Sequence, residues 1–190
     1  MLARTEQGKA ERLEQVIALL REKIPAEQRG PVEAFTRAYF RQVDGEDLAA
    51  RAPADLYGAA LSHWNFGRKR EPGKARVRVF NPSVQEHGWQ STHTIIEIVN
   101  DDMPFLVDSV TMEVNRQGLT LHLIVHPIIR MNRTDGTLMG VLPDDSPAGG
   151  RESFMHVEVD RLTDPGRMEA LAADLERVLD DVRASVEDWK

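Results

Sequence analysis

Apolar residues recur at intervals of three and four through residues 1–72, a spacing that places them on one face of a helix. Three helices are predicted here. The first carries its apolar stripe along residues 13–24, and the second begins near Val32, because the segment 25–31 holds two prolines that break the helical period. The third starts at Pro53, which suits a first helical turn, and its inner face is formed by Tyr57, Ala60, Leu61 and Trp64.

A segment rich in glycine and basic residues, 67–73, separates this pattern from the alternation that is typical of strands. We therefore expect two domains, a helical N-terminal segment at residues 1–72 and an α+β domain at residues 73–190. In the second domain the alternating and β-branched stretches predict strands at residues 76–80, 92–99, 119–131, 137–142 and 153–159.

Two helices accompany these strands. Asp102 is predicted to cap the first, which ends at Gly118, and Asp164 is predicted to cap the second, which starts at Pro165. The resulting order of strand, strand, helix, three strands and helix predicts a ferredoxin-like antiparallel sheet with both helices on one face. Such a unit normally returns to the sheet after its second helix, so we expect the domain that stops at Lys190 to be truncated at its C-terminal end.

Composition narrows the class of protein. The 190 residues are 41% hydrophobic and 29% charged, values typical of a folded globular chain. A formal net charge of −7 repels phosphate backbones, so nucleic acid is not an expected partner. The absence of cysteine fits a cytoplasmic protein and removes thiolate chemistry, and no stretch resembles a signal peptide or a membrane span.

The histidines do not predict a metal or catalytic centre. His122 and His126 lie four residues apart in a predicted strand, which separates their Cα atoms by about 13 Å, too far to share one ion. His93 and His156 lie inside strands with no serine elbow or cysteine to activate. Neither a dinucleotide nor a phosphate-binding glycine motif occurs. We therefore assign no catalytic, cofactor-binding or metal-binding residue to this chain.

The strongest local signal is a strand, an acidic loop and a helix start within residues 97–109. Free amides at the helix N-terminus can receive a carboxylate, while neighbouring acidic side chains can hold an ammonium group, so an amino acid would fit. The alternative is that Asp102 caps the helix and no ligand binds. We call residues 100–108 the acidic corner, and its candidate effector-binding residues are Asn100, Asp101, Asp102, Met103, Phe105 and Asp108.

The acidic corner resembles the ligand corner of ACT domains, which typically reads Asp-x-Pro-Gly-Leu-Leu. Here residues 102–107 read Asp-Met-Pro-Phe-Leu-Val, so that Phe105 stands where the family usually has glycine. A bulky side chain at that place would occlude the site or change the pose of a ligand. Nearly the whole chain also resembles the N-terminal region of the large bacterial NAD-specific glutamate dehydrogenases, most closely in the segments 55–64, 77–82, 86–89 and 98–110.

The resemblance implies an ACT-like fold in a non-catalytic regulatory or assembly region. The parent enzyme would oxidise L-glutamate to 2-oxoglutarate and ammonium with NAD, which would bind to domains downstream and not to this segment. The implied partners are the remaining domains of the parent, other copies in a homo-oligomer and a small amino-acid effector. The alternative is a free-standing amino-acid-sensing ACT protein that controls a partner, and a reading frame that ends at Lys190 would favour it.

Overall fold

The computed structural model describes residues 2–188, with side chains from residue 7 onward. Residues 1, 189 and 190, which belong to the predicted domains, lie outside the described residues. The elements follow in the order α1 (Leu2–Lys23), α2 (Ala26–Tyr39), α3 (Gly45–Ala49), α4 (Pro53–Gly67), β1 (Arg76–Phe80), α5 (Val84–His87), β2 (Thr94–Asp101), α6 (Leu106–Arg116), β3 (Leu121–Val125), β4 (Ile128–Thr134), β5 (Thr137–Val141), β6 (Gly150–Val159) and α7 (Pro165–Glu187).

The N-terminal helices follow the predicted stripes, with one correction. Helix α2 begins at Ala26, six residues before the predicted start at Val32, and it contains Pro31. A proline in the second turn removes a single backbone hydrogen bond, and burial of Val32, Phe35 and other side chains of α2 holds the helix in place despite that loss. The sequence pattern did not predict α3, which is a single helical turn. The side chain of Asp44 caps it by accepting a hydrogen bond from the amide of Glu46.

The sheet is antiparallel throughout, with the strand order β1, β2, β6, β4 and β5, and β3 also pairs with β6. Strand β6 is central, because β2 pairs with one edge while β3 and β4 share the other. The segment 119–131, predicted as one strand with a kink or edge near Pro127, is interrupted completely. It is two strands separated at His126 and Pro127, because proline cannot donate a ladder hydrogen bond, although the Pro127 carbonyl still accepts one from Phe154.

Helices α6 and α7 cover one face of this sheet, which confirms the predicted α+β, ACT-like class. Their buried side chains, including Val110, Val114, Leu171 and Leu175, pack against an apolar sheet face formed by Ile96, Ile98, Met155, Val157 and Val159. Asp164 caps α7 by accepting a 2.9 Å hydrogen bond from the amide of Gly166, as predicted. Among residues 2–188, no helix is both long and apolar enough to cross a bilayer.

The N-terminal helices cover the opposite face of the sheet. Phe154 of β6 is fully buried there, with its ring centroid 5.0 Å from that of Phe35 in α2 and 5.2 Å from that of His63 in α4. One continuous apolar core thus contains residues from both sides of the predicted domain boundary. The division at residue 72 stays a prediction, but the two predicted domains share this core.

Replacing Phe154 by alanine is expected to lower the free energy of unfolding by about 3–5 kcal/mol, because the change opens a cavity between the helical layer and the sheet. Denaturant titration followed by circular dichroism measures this loss. The matched control is Met112→Ala, which removes an exposed side chain and should change stability by less than about 0.5 kcal/mol. A small effect of the Phe154 change would contradict a shared core.

Candidate functional site

The acidic corner lies where β2 ends and α6 begins, but its backbone differs from the prediction. Strand β2 continues through Asn100 and Asp101, because Glu152 and its neighbours on β6 still offer pairing partners, and the Asp102 amide donates to the Arg151 carbonyl. Helix α6 therefore starts only at Leu106. The predicted cap at Asp102 is wrong.

The residue that precedes α6 is Phe105, which has a left-handed backbone with φ of 71° and makes no side-chain cap. Glycine adopts this conformation without strain, whereas a residue with a Cβ atom pays about 1–2 kcal/mol. The ring is 60% exposed. Met103 is partly buried against the α6 and α7 core, and Asp108 is exposed in the first turn of α6.

Arginines of the same chain bind the polar side chains of the acidic corner. Asp101 accepts from Arg70 at 2.6 Å and from Arg183 at 2.9 Å. Arg183 also donates to Asn100 Oδ1 at 2.7 Å, and Asp102 accepts from the Nε of Arg151 at 3.1 Å.

These contacts decide the charge state of Asp101. Burial alone would raise the pKa of Asp101, but hydrogen bonds and charge from Arg70 and Arg183 outweigh it and lower the pKa. The carboxylate is therefore ionised and already paired. An ammonium ligand would have to compete with two guanidinium groups for this carboxylate.

The same arginines connect the acidic corner to the centre of the sheet. Arg70, which is almost fully buried, lies 3.4 Å from Glu152 Oε1 as well as beside Asp101. Glu152 also receives two hydrogen bonds from Arg133 of β4, at 2.6 and 2.9 Å. This network joins the loop before β1 to β2, β4, β6 and α7, so the position of Asp101 is fixed from several directions.

Exposed apolar side chains lie beside the acidic corner, on the outer surface of α6. Met112 is 71% exposed two turns beyond Phe105, and Ser109 lies between them. A groove of about 340 Å³ separates this surface from α7, where Val178 and Val182 form its apolar wall. We call Phe105, Ser109 and Met112 the α6 strip.

A larger cavity lies between the N-terminal helices and the sheet, where the sequence had indicated no site. We call it the interlayer cavity, and its volume is about 620 Å³, within the range of small-molecule sites. Its walls come from α2 to α4, from the loop that follows Trp89 and from strands β3 and β6. They include Tyr39, Phe40, Val43, Asp47, Leu48, Arg51, Asp55, Leu56, Trp89, His93, Leu123, Val125, His156 and Glu158.

Glu158 is the most deeply placed carboxylate of the interlayer cavity. Its Oε2 accepts from Arg51 at 2.9 Å and lies 3.3 Å from His93 Nδ1, while Oε1 lies 3.5 Å from His156 Nε2. Burial raises the pKa of Glu158, but hydrogen bonds and charge from His156 and Arg51 lower it to about 2. The side chain is thus a carboxylate at neutral pH.

One signal in the sequence could have indicated that His156 and Glu158 lie together inside the fold. His156 and Glu158 alternate with Phe154 on β6, so they share the face that carries a buried aromatic ring. Polar residues on a buried face require partners. Trp89 Nε1 and His156 Nδ1, in two of the side chains that line the interlayer cavity, make no hydrogen bond with any described residue.

His122 and His126, the pair weighed for a shared metal ion, have separate partners. His122 Nε2 lies 2.8 Å from Asp160, and His126 Nε2 lies 2.8 Å from the hydroxyl of Ser153. Among the residues that the structure describes, no group of three or more histidine or acidic side chains is arranged to hold a metal ion.

Comparison with known proteins gives a family model and two relatives whose names agree with one another. The family model described as "Glutamate dehydrogenase, ACT1 domain" matches residues 35–175. The NAD-specific glutamate dehydrogenase of Halomonas elongata is 40% identical over 187 residues, which is 97% of this chain and 12% of the relative. That of Pseudomonas aeruginosa is 37% identical over 162 residues, 84% of this chain and 10% of the relative. The chain thus spans about a tenth of these relatives, and no solved structure matches it significantly.

Replacing Phe105 by glycine is expected to raise the free energy of unfolding by about 1 kcal/mol, because it removes the cost of a left-handed backbone at a largely exposed residue. Thermal denaturation measures the gain. Phe105→Ala is the matched control, since alanine keeps the strained backbone and should give no increase. Equal melting temperatures for the two variants would contradict this account.

The low pKa of Glu158 predicts an acid-sensitive stability. A carboxyl group whose pKa is about 2 in the folded state and about 4.5 when unfolded stabilises the fold above pH 4.5, and this contribution disappears as the pH falls towards 2. Its size is on the order of 3 kcal/mol at neutral pH. In urea titrations, the free energy of unfolding of Glu158→Gln should therefore fall less between pH 5 and pH 3 than that of the unchanged protein. Glu169→Gln, an exposed site on α7, should leave the slope unchanged.

Proposed function

The chain belongs to the glutamate dehydrogenase ACT1 domain family, and from this premise we propose that it is a non-catalytic regulatory or assembly region of an NAD-dependent glutamate dehydrogenase. In this proposal the parent enzyme converts L-glutamate to 2-oxoglutarate and ammonium in the cytoplasm while it reduces NAD. The names of the relatives and the small share of their length that this chain covers support the proposal. NAD and substrate are assigned to other domains of the parent.

Between the two roles, we favour assembly over effector binding at the acidic corner. The observation that carries this choice is the pairing of Asp101 and Asp102 with Arg70, Arg183 and Arg151. An amino-acid ligand would have to break these contacts before it gained its own. Phe105 adds a second obstacle, because a side chain stands where the ligand corner of ACT domains usually has glycine.

The α6 strip is the surface that we assign to contacts between subunits of the parent enzyme. Phe105 and Met112 expose apolar area on either side of Ser109, beside a groove lined in part by Val178 and Val182, and exposed apolar side chains grouped in this way are typical of protein interfaces. Burial of such side chains against another subunit contributes about 25 cal/mol for each Å² removed from water. The proposal therefore predicts that a charge introduced on this strip weakens the assembly.

The test uses the full-length parent protein. Met112→Asp is expected to shift its oligomers towards smaller species, by about tenfold or more in the dissociation constant, because a carboxylate would be buried in the contact. Mass photometry over a dilution series measures the shift. The matched control is Val84→Asp, which charges an exposed apolar residue at the start of α5, away from the strip.

Two results would contradict the proposal. The first is an unchanged oligomer distribution in Met112→Asp, which would remove the assembly role of the α6 strip. The second is reduction of NAD by the isolated 190-residue chain in the presence of glutamate, followed at the absorbance of NADH, which would show that the chain is itself catalytic.

A further inference from the structure

The two faces of the sheet differ in polarity. The face against α6 and α7 is apolar, whereas the face against the N-terminal helices carries four buried side chains that can hold charge, Glu97, Glu152, His156 and Glu158. Glu152 is paired with Arg133 and Arg70. Glu97 is paired with Arg78 of β1 and is enclosed. His156 and Glu158 instead line the interlayer cavity. A buried charge is retained at a cost, so a charged pair beside an open volume requires a reason.

Arg51 supplies the cation for Glu158 from outside the sheet. It follows α3, its side chain is about 30% exposed, and it donates both to Glu158 and to the backbone carbonyl of Asp47. The guanidinium thus reaches from the rim of the interlayer cavity to a carboxylate on its floor. A positively charged group that enters the cavity can make the same contact with Glu158 while Arg51 turns to solvent.

The charge of the cavity walls favours a cation. Three carboxylates, those of Asp47, Asp55 and Glu158, line it together with the guanidinium of Arg51 and the imidazoles of His93 and His156. In its neutral form His156 adds an acceptor, because a neutral ring that donates from Nε2 to Glu158 leaves Nδ1 with a lone pair, and no described residue donates to that atom. An ammonium group, which only donates, suits the carboxylate of Glu158.

The other residues that line the interlayer cavity favour a ligand whose cationic group is attached to an apolar body. Phe40, Val43, Leu48, Leu56 and Val125 contribute aliphatic and aromatic surface, and Trp89 and Tyr39 add aromatic rings. Aromatic faces also attract organic cations. The volume of about 620 Å³ exceeds what an inorganic ion would fill.

We propose that the interlayer cavity binds a small organic cation, a protonated primary amine with an apolar body, whose ammonium group replaces the guanidinium of Arg51 at Glu158. The site lies between the N-terminal helices and the sheet and is separate from the acidic corner. Because the ligand contacts both layers, it stabilises their association and places Arg51 in solvent. This inference does not depend on the role proposed for the parent enzyme.

The experiment uses the 190-residue chain and three probes of similar size: 2-phenylethylamine, 2-phenylethanol and phenylacetate. Nitrogen-proton NMR follows the indole N–H of Trp89, which makes no hydrogen bond within the described chain and lines the cavity. The amine is expected to bind with a Kd on the order of 1 mM, typical of a fragment with about nine non-hydrogen atoms. The alcohol and the carboxylate should bind about tenfold more weakly or not at all.

Two variants should move the affinity for the amine in opposite directions. Glu158→Gln removes the anion and should weaken binding about tenfold or more. Arg51→Gln removes the competing guanidinium, and should strengthen binding about threefold to tenfold while the selectivity for the amine is kept. Arg167→Gln, at an exposed position on α7, is the control for the loss of a positive charge and should leave the affinity unchanged.

Three outcomes would overturn the inference: no shift of the Trp89 signal with 20 mM amine, equal affinity for the three probes, or an equal response of Arg51→Gln and Arg167→Gln. Thermal melting establishes that each variant is folded. If Glu158→Gln does not fold, Arg51→Gln decides alone, because it keeps the carboxylate and predicts a gain that nonspecific binding would not produce.

Discussion

Strand β6 is buried on both faces and paired along both edges, and the rest of the structure is arranged around this constraint. Every side chain from residue 152 to residue 159 is buried, so each charged one must meet an opposite charge inside the fold. Glu152 is met by Arg133 and Arg70, and Glu158 by Arg51. These arginines come from the N-terminal helices, the loop before β1 and strand β4, so the ion pairs also hold those segments on the central strand.

The constraint has different consequences at the two ends of β6. At the acidic corner, Arg70 from the loop before β1 and Arg183 from α7 pair with the carboxylate of Asp101, which makes this end a structural junction. At the opposite end, Arg51 reaches Glu158 from the rim, His93 and His156 lie beside the same carboxylate, and the helices leave a cavity there. The same chemistry, a carboxylate paired with a guanidinium, thus joins several elements at one end of β6 and borders a cavity at the other.

Much of the fold could be predicted from local pattern. The third helix at Pro53, the strand at residues 76–80 and the cap at Asp164 all lie where period and capping chemistry indicated. The errors fall where long-range pairing overrides local preference. The cap expected at Asp102 is absent because β6 extends β2 past it. The α2 boundary was missed because tertiary burial outweighs the proline.

The sequence by itself determined the class of fold and the absence of the usual catalytic motifs, because periodicity, turn residues and motif spacing act over a few residues. It also located the acidic corner, but not that arginines fill it. Only the tertiary structure decided that Arg51 meets Glu158, 107 positions away, and that a cavity lies beside them. The physical reason is that pairing of distant charges and the space left between packed layers depend on how whole elements meet, which no local pattern records.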